Sequence, residues 1–324
     1  MFGYKIFHEE LMQSLFNSIK SGKNANAYIF AGEKGTYKHE CARLFAAALC
    51  CTSDNLPCGV CEACTLAKAR SNPDIKHITR PQNKTKIDVD TIRSVNEDVT
   101  LRPFSSKKKI YIIDEGDLMT TEAQNAFLKT FEEPPEYAVF IIVVQNIDNL
   151  LQTIISRAMV VNFPAVSKER IRTYLRETYP DHTQKEAFLI NYCEGIPGRI
   201  DDVIGDESFF SLRSKAFSMM RPLLSKKVED AFLIEEYIKE NSDSAGEIFD
   251  FWISFLRDLL VLGCGAFDSV INTDIQSEIR ALGELCSIED AAGAIDILIE
   301  GKHMLARFVK VSAVALRCAL KLGM

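Results

Sequence analysis

No stretch of this chain approaches the ~18 consecutive apolar residues that a membrane span needs, and no apolar signal segment opens it at Met1-Phe2-Gly3-Tyr4-Lys5. A cytoplasmic protein is the expectation. Internal repeats and low-complexity tracts are absent too, so nothing points to a solenoid or a disordered tail. Positive charge is in short supply: the formal net charge is −7, which argues against a protein coated on all sides by nucleic acid. What remains is an ordinary globular composition, 47% hydrophobic and 26% charged over 324 residues, enough for two or three domains.

The charge is uneven. From Thr65 to Ile110 there are eleven Lys and Arg against five Asp and Glu, a local +6 that leaves −13 for the rest. A segment of that kind faces phosphate or is a solvated insertion with scattered lysines. Ten cysteines without a secretory signal point to a reducing compartment and away from a disulfide framework. Five of them crowd between Cys50 and Cys64, which suggests a metal.

Helical and strand patterns alternate in the first half. Leu11, Leu15 and Ile19 keep helical spacing before Ser21-Gly22, and Tyr28-Ile29-Phe30 is a short apolar strand followed by a helix from about Tyr37 to Leu49. Lys109 to Ile113 and Val139 to Val144 are continuous apolar runs, which read as strands buried on both faces of a parallel sheet. Thr121-Glu122-Ala123-Gln124 carries a capping-box pattern, and its helix must stop by Pro134-Pro135. After Phe163-Pro164 the strand signals end. Ser167 can cap a helix to about Glu177, a second follows Thr183 and ends near Gly195, and Pro197 can start a third. From about Ser208 onward the pattern is helical, including Phe249-Trp252-Ile253-Leu256-Leu260 and Leu298-Leu305-Phe308-Val309-Val314. The expected architecture is an α/β nucleotide-type domain over 1–165, a small helical domain over 166–207 and a helical bundle over 208–324.

Gly32-Glu33-Lys34-Gly35-Thr36-Tyr37-Lys38-His39 sits between a strand and a helix, where a phosphate-binding loop G-x-x-x-x-G-K-[ST] belongs. Lys38 is in place, but the last glycine is Tyr37 and the magnesium-binding hydroxyl residue is His39. Such a loop works through backbone amides that converge on phosphate and a Ser or Thr hydroxyl on the metal. Both requirements are compromised.

Cys58-Gly59-Val60-Cys61-Glu62-Ala63-Cys64 is C-x2-C-x2-C, with Cys50 or Cys51 upstream as a fourth thiol. Four thiolates close a tetrahedral zinc site with no open position, so the expected role is structural. An iron–sulfur cluster and a set of free thiols are the other readings.

Asp114 and Glu115 end an apolar strand, where ATPases place a magnesium-organising Asp and a water-activating Glu; a solvated strand end is the plainer reading. Ser156-Arg157 precedes the strand-like Met159 to Phe163, a place from which an arginine can reach a phosphate bound to a neighbouring subunit or simply form a surface ion pair. Gly195-Ile196-Pro197-Gly198-Arg199 puts Arg199 in the first turn of a helix, as a sensor of phosphate or as a solvated turn residue.

Asn125-Ala126-Phe127-Leu128-Lys129-Thr130-Phe131-Glu132-Glu133-Pro134-Pro135 closely resembles the N-A-L-L-K-x-L-E-E-P-P of the clamp-loader branch of the AAA+ ATPases. Ile87 to Arg93, the cysteines, Ser156-Arg157 and Gly195 to Arg199 fall in that family's order, so the resemblance covers about residues 5 to 205. It implies an AAA+ P-loop-type domain with a four-cysteine zinc module (50–64), a helical lid and a C-terminal collar for oligomerisation. It also implies Cys51, Cys58, Cys61 and Cys64 as ligands of a structural Zn2+, with Cys51 preferred to Cys50 because it falls where the family's first cysteine falls.

In the bacterial DNA polymerase III clamp loader, motor subunits of the gamma or tau kind keep the final glycine and hydroxyl residue, whereas a non-motor kind keeps the Ser-Arg pair. Tyr37, His39 and an end at Met324 without a tau-like extension place this chain with the non-motor kind. The resemblance then implies a five-membered ring with gamma/tau and delta subunits that acts on the sliding clamp and primer-template DNA. Arg157 would serve a neighbour's ATP site, and Gly32, Gly35, Lys38, Asp114, Glu115 and Arg199 would form a weak or vestigial nucleotide site. An active gamma/tau-like ATPase, a zinc-dependent DNA-binding module and, last, a small-molecule phosphotransferase are the alternatives.

Overall fold

A computed structural model of the chain describes residues 5–82, 84–225 and 227–322. The chain divides into two compact units, one of residues 1–167 with Ile196–Gly198, the other of Lys168–Gly195 with the residues from Arg199 onward.

The first unit is a five-stranded sheet, β1 (Ala27–Ala31), β2 (Ile75–Ile78), β3 (Lys109–Ile113), β4 (Ala138–Val144) and β5 (Met159–Asn162), in the order β2-β3-β4-β1-β5. Every pairing is parallel, with Ile29 opposite Ile142 and Ile112 opposite Ile141. β1, β3 and β4 are buried along their whole length, as continuous apolar runs in a doubly covered sheet require. Successive residues feed opposite cores. Tyr28, Phe30, Ile110, Ile112 and Ile141 pack on the side of α1 (Glu9–Lys20), α2 (Lys38–Cys50) and α3 (Glu62–Lys68). Ile29, Tyr111, Phe140 and Ile142 pack on the side of α4 (Val89–Asp98), α5 (Thr121–Glu132) and α6 (Gln152–Ile155).

The cap of α5 differs from the expected one. Thr120, not Thr121, accepts the Ala123 N–H at 3.1 Å. Gln124 is buried and turns its amide elsewhere: Nε2 donates to Asn149 O at 3.0 Å and Met119 O at 3.3 Å, while Oε1 accepts the Leu151 N–H at 2.7 Å. Burial has claimed a side chain that the local pattern assigned to the helix end.

The second unit is helical: α7 (Lys168–Thr178), α8 (Glu186–Tyr192), α9 (Gly198–Val203), α10 (Glu207–Ser218), α11 (Met220–Leu224), α12 (Val228–Glu240), α13 (Ala245–Gly263), α14 (Gln276–Leu282), α15 (Ile288–Ala306) and α16 (Val311–Leu322). Its core centres on α13, where Trp252 is fully buried and donates Nε1–H to Ala216 O at 2.9 Å. The pattern from Leu298 to Val314 is not one helix. It breaks between α15 and α16 at Phe308, which is 97% exposed and left-handed at φ +60°. No helix among the described residues is long and apolar enough to cross a membrane.

Candidate functional site

β1 runs into the loop at Gly32, and α2 starts at Lys38. Gly35 and Tyr37 both take left-handed backbone, with φ of +92° and +61°. The bend that a glycine would supply is therefore kept with a tyrosine, at a steric cost of about 1–2 kcal/mol. The Tyr37 ring rests on Phe7, with centroids 5.2 Å apart. Thr36 Oγ1 and Lys38 Nζ both donate to the Glu33 carbonyl, at 2.9 and 3.0 Å. Lys38 is 2% exposed, and burial pushes its pKa down against the raising effect of Asp117 and Asp114.

His39 follows Lys38 on the first turn of α2 and is joined to the end of β3. Its Nδ1 lies 2.7 Å from Asp114 Oδ1, so the two positions that would organise a metal are bonded to each other. Glu115 takes left-handed backbone, φ +52°, and accepts from Arg80 Nε at 2.8 Å. The strand register explains the Arg80 pair: Ile78 lies opposite Ile113, so the residues two beyond each meet. Nothing local in the sequence signals Arg80, because β2 lacks the apolar run that marks its neighbours. Gly198, grouped with this unit, donates its N–H to Gly35 O at 2.9 Å. A Cβ at Gly198 would lie 2.5 Å from Gly35 Cα, so only glycine permits this approach.

The two arginines are engaged locally. Arg157 follows α6 and donates Nη1 to Thr153 O at 2.9 Å, and its Nη2 lies 3.1 Å from Glu132 Oε1. Both partners of that ion pair are about two-fifths exposed, at the rim of the first unit. Arg199 pairs with Glu194 at 2.6 Å within the second unit.

The sulfurs of Cys51, Cys58, Cys61 and Cys64 all lie within 4.8 Å of one another. Cys51 and Cys61 are 3.9 Å apart, and Cys58 and Cys64 are 4.0 Å apart. A tetrahedral ion with four bonds of ~2.3 Å needs sulfur separations of about 3.8 Å, so the set fits a metal ion. Backbone N–H groups of Ser53 and Cys58 point at Cys51 Sγ, at 3.5 and 3.4 Å, and that of Cys61 at Cys58 Sγ, at 3.3 Å. Burial raises the Cys61 thiol, but N–H donors from Thr52 and Cys64 outweigh it and bring the pKa down to about 6. Cys50 stands outside the cluster, buried toward Lys108 O at 3.8 Å, with burial pushing its thiol up to about 12.

The family model described as DNA polymerase III, delta subunit, matches residues 7–167. The delta' subunit of DNA polymerase III from Bacillus subtilis is 27% identical over 307 residues, 93% of this chain and 92% of that protein. The tau subunit of the same organism is 32% identical over 231 residues, 70% of this chain but 39% of that longer protein. A solved gamma-subunit-related protein from Thermotoga maritima is similar at 21% identity, covering 96% of this chain and 97% of its own, with a TM-score of 0.49. The near end-to-end match to delta', together with the family model over the first half, leads to one conclusion: the chain belongs to the family of DNA polymerase III clamp-loader subunits.

Proposed function

We propose that this chain is a non-motor, delta-prime-like subunit of a cytoplasmic clamp loader. In this reading it sits with gamma/tau and delta subunits in a five-membered ring that loads the sliding clamp onto primer-template DNA. The observation that carries it is the 2.7 Å contact between His39 and Asp114. Magnesium-dependent ATP hydrolysis needs a free hydroxyl and a free carboxylate at those positions, and here each is satisfied by the other. Tyr37 supports the same reading, because it places an aromatic side chain where phosphate needs bare backbone.

Arg157 is then the residue through which the chain takes part in ATP chemistry, as a finger offered to a neighbouring motor subunit. Its ion pair with Glu132 is exposed on both sides and of small worth, so a phosphate can displace it. Cys51, Cys58, Cys61 and Cys64 hold a structural Zn2+, a closed site that fixes α3 and the loop before it.

The test is reconstitution. Omitting the chain should abolish clamp loading, and Arg157→Ala should lower hydrolysis at the neighbouring site on the order of 10³-fold while leaving the chain folded. Unchanged hydrolysis would reject the arginine's role. The gamma/tau-like ATPase reading is favoured by retained Lys38, Asp114 and Glu115 and by the 32% identity to a tau subunit. Phosphate release by the isolated chain above background would replace the non-motor reading with that one.

A further inference from the structure

The basic segment between Thr65 and Ile110 is not absorbed by the ring role. Four of its eleven basic side chains are ion-paired within the chain: Arg80 with Glu115, Lys84 with Asp88, Arg93 with Asp90 and Lys109 with Asp98. One group stands apart. Arg43 on α2, Arg70 just past α3 and His77 on β2 line a single cleft with Ala67, Asn72 and Ile75. Among the described residues, neither Arg43 nor Arg70 has a carboxylate within ion-pair distance, and the His77 ring has no hydrogen-bond partner. Burial first, and then Arg43, hold the His77 pKa below its ordinary value, with Asp114 raising it and Arg70 lowering it further, so the positive charge of the cleft at neutral pH comes from the two guanidiniums.

The cleft is built as well as charged. Asn72, 6% exposed, donates Nδ2–H to Ala63 O at 3.2 Å and accepts the Asp74 N–H at 2.9 Å, tying the floor to α3. Arg70 takes left-handed backbone, φ +57°, where α3 ends with Ser71 N–H donating to Leu66 O at 2.9 Å. Glycine is the usual residue at such a helix end, and here an arginine holds the position beside the cleft.

We propose that this cleft binds a phosphate group, supplied as a phosphodiester of a nucleic-acid strand. Two guanidinium forks suit a multidentate oxyanion better than a single carboxylate. The cleft is narrow, about 10 Å3, room for a single oxygen-sized group, so a phosphate would sit at its mouth with one oxygen inside, no nucleobase would enter, and recognition would be of backbone and not of sequence. Lys68, exposed at the end of α3, is a further cation two residues before Arg70.

The full chain is titrated with inorganic phosphate and, separately, with a single-stranded oligothymidylate across a salt series. Arg43→Gln combined with Arg70→Gly, the latter compatible with the left-handed backbone, should weaken oligonucleotide binding at least about tenfold and make the salt slope shallower by about 0.7 for each phosphate no longer held. Arg317→Gln, in the second unit, should leave binding unchanged, and thermal melts of each variant show that the fold is kept. Saturable phosphate binding that the double variant abolishes, without oligonucleotide binding, would support the cleft and overturn the strand as its source. Binding of either probe that the double variant leaves untouched, or no binding of either, would overturn the proposal. The isolated chain is used throughout, so the outcome does not depend on ring assembly.

Discussion

The nucleotide loop and the cysteine knuckle lie in the same unit, and both are written in recognisable motifs, yet their polar groups stand in opposite conditions. In the loop, Lys38 is spent on Glu33 O, His39 on Asp114 and Glu115 on Arg80. In the knuckle, four sulfurs face one another at separations that suit a metal, supported by backbone N–H groups. A motif's residues can be present while their bonding capacity is already used. On the reading proposed above, what would separate a live site from a vestige is whether its donors and acceptors are still open toward a common point.

That contrast can be broken experimentally, and the knuckle offers the largest effect. Free zinc modules gain an apparent ~10–16 kcal/mol from their metal, whereas this cysteine set sits on a domain that already has a core. Each of Cys51→Ser, Cys58→Ser, Cys61→Ser and Cys64→Ser should abolish stoichiometric metal in elemental analysis, with faster proteolysis between Cys51 and Cys64. Cys50→Ser should keep the metal. Retention of metal by Cys51→Ser would remove Cys51 from the ligand set.

The loop should respond in the other direction. Tyr37→Gly with His39→Thr frees both the backbone approach and Asp114, so nucleotide affinity by fluorescence titration should rise at least about tenfold, or ~1.4 kcal/mol. No gain would show that occupied side chains are not what closes the loop.

Asp74 calibrates both, being buried and partnered within the chain. Its carboxylate accepts the backbone N–H of Phe104, Ser105 and Ser106 at 2.5, 2.8 and 2.7 Å. Burial would raise its pKa, but those donors hold it below the ordinary carboxylate value. A depressed folded pKa means that the stabilisation is present above the unfolded value near ~3.9 and is lost as pH falls through the folded one. Asp74→Ala should therefore cost about 1–3 kcal/mol in neutral denaturation and flatten the acid limb of the stability curve.

The smallest effect belongs to Tyr37→Gly alone. Relief of left-handed strain, about 1–2 kcal/mol, opposes the removal of the ring from Phe7, so the melting free energy should move by less than ~1 kcal/mol.

How much could be read beforehand depended on whether a residue's partners were near in sequence. The strands at Lys109 and Val139, the broken loop and the cysteine set were legible, because each rests on local periodicity or spacing. β2 was not. Ile75-Lys76-His77-Ile78 is a partly exposed edge strand that lacks the apolar run of its neighbours. The Arg80–Glu115 pair went with it, since its only signal is the register between β2 and β3. Thr120 displaced Thr121 as the cap because Gln124 was needed in the interior, a long-range demand with no local trace. At Phe308 an apolar residue fits the helical spacing yet marks the break, since spacing alone cannot reveal a left-handed turn.

Gln124 has one more consequence. α6 is four residues long, too short to hold its own position. Gln124 grips its leading end through Leu151, and Glu132, eight residues further along α5, meets Arg157 beyond its trailing end. Eight residues of helix span about 12 Å, so α5 serves as a rigid gauge between the start of α6 and the resting partner of Arg157. A one-residue insertion between Gln124 and Glu132 would rotate one grip away from the other by roughly 100°, and the arginine would lose its bearing with no change at its own position.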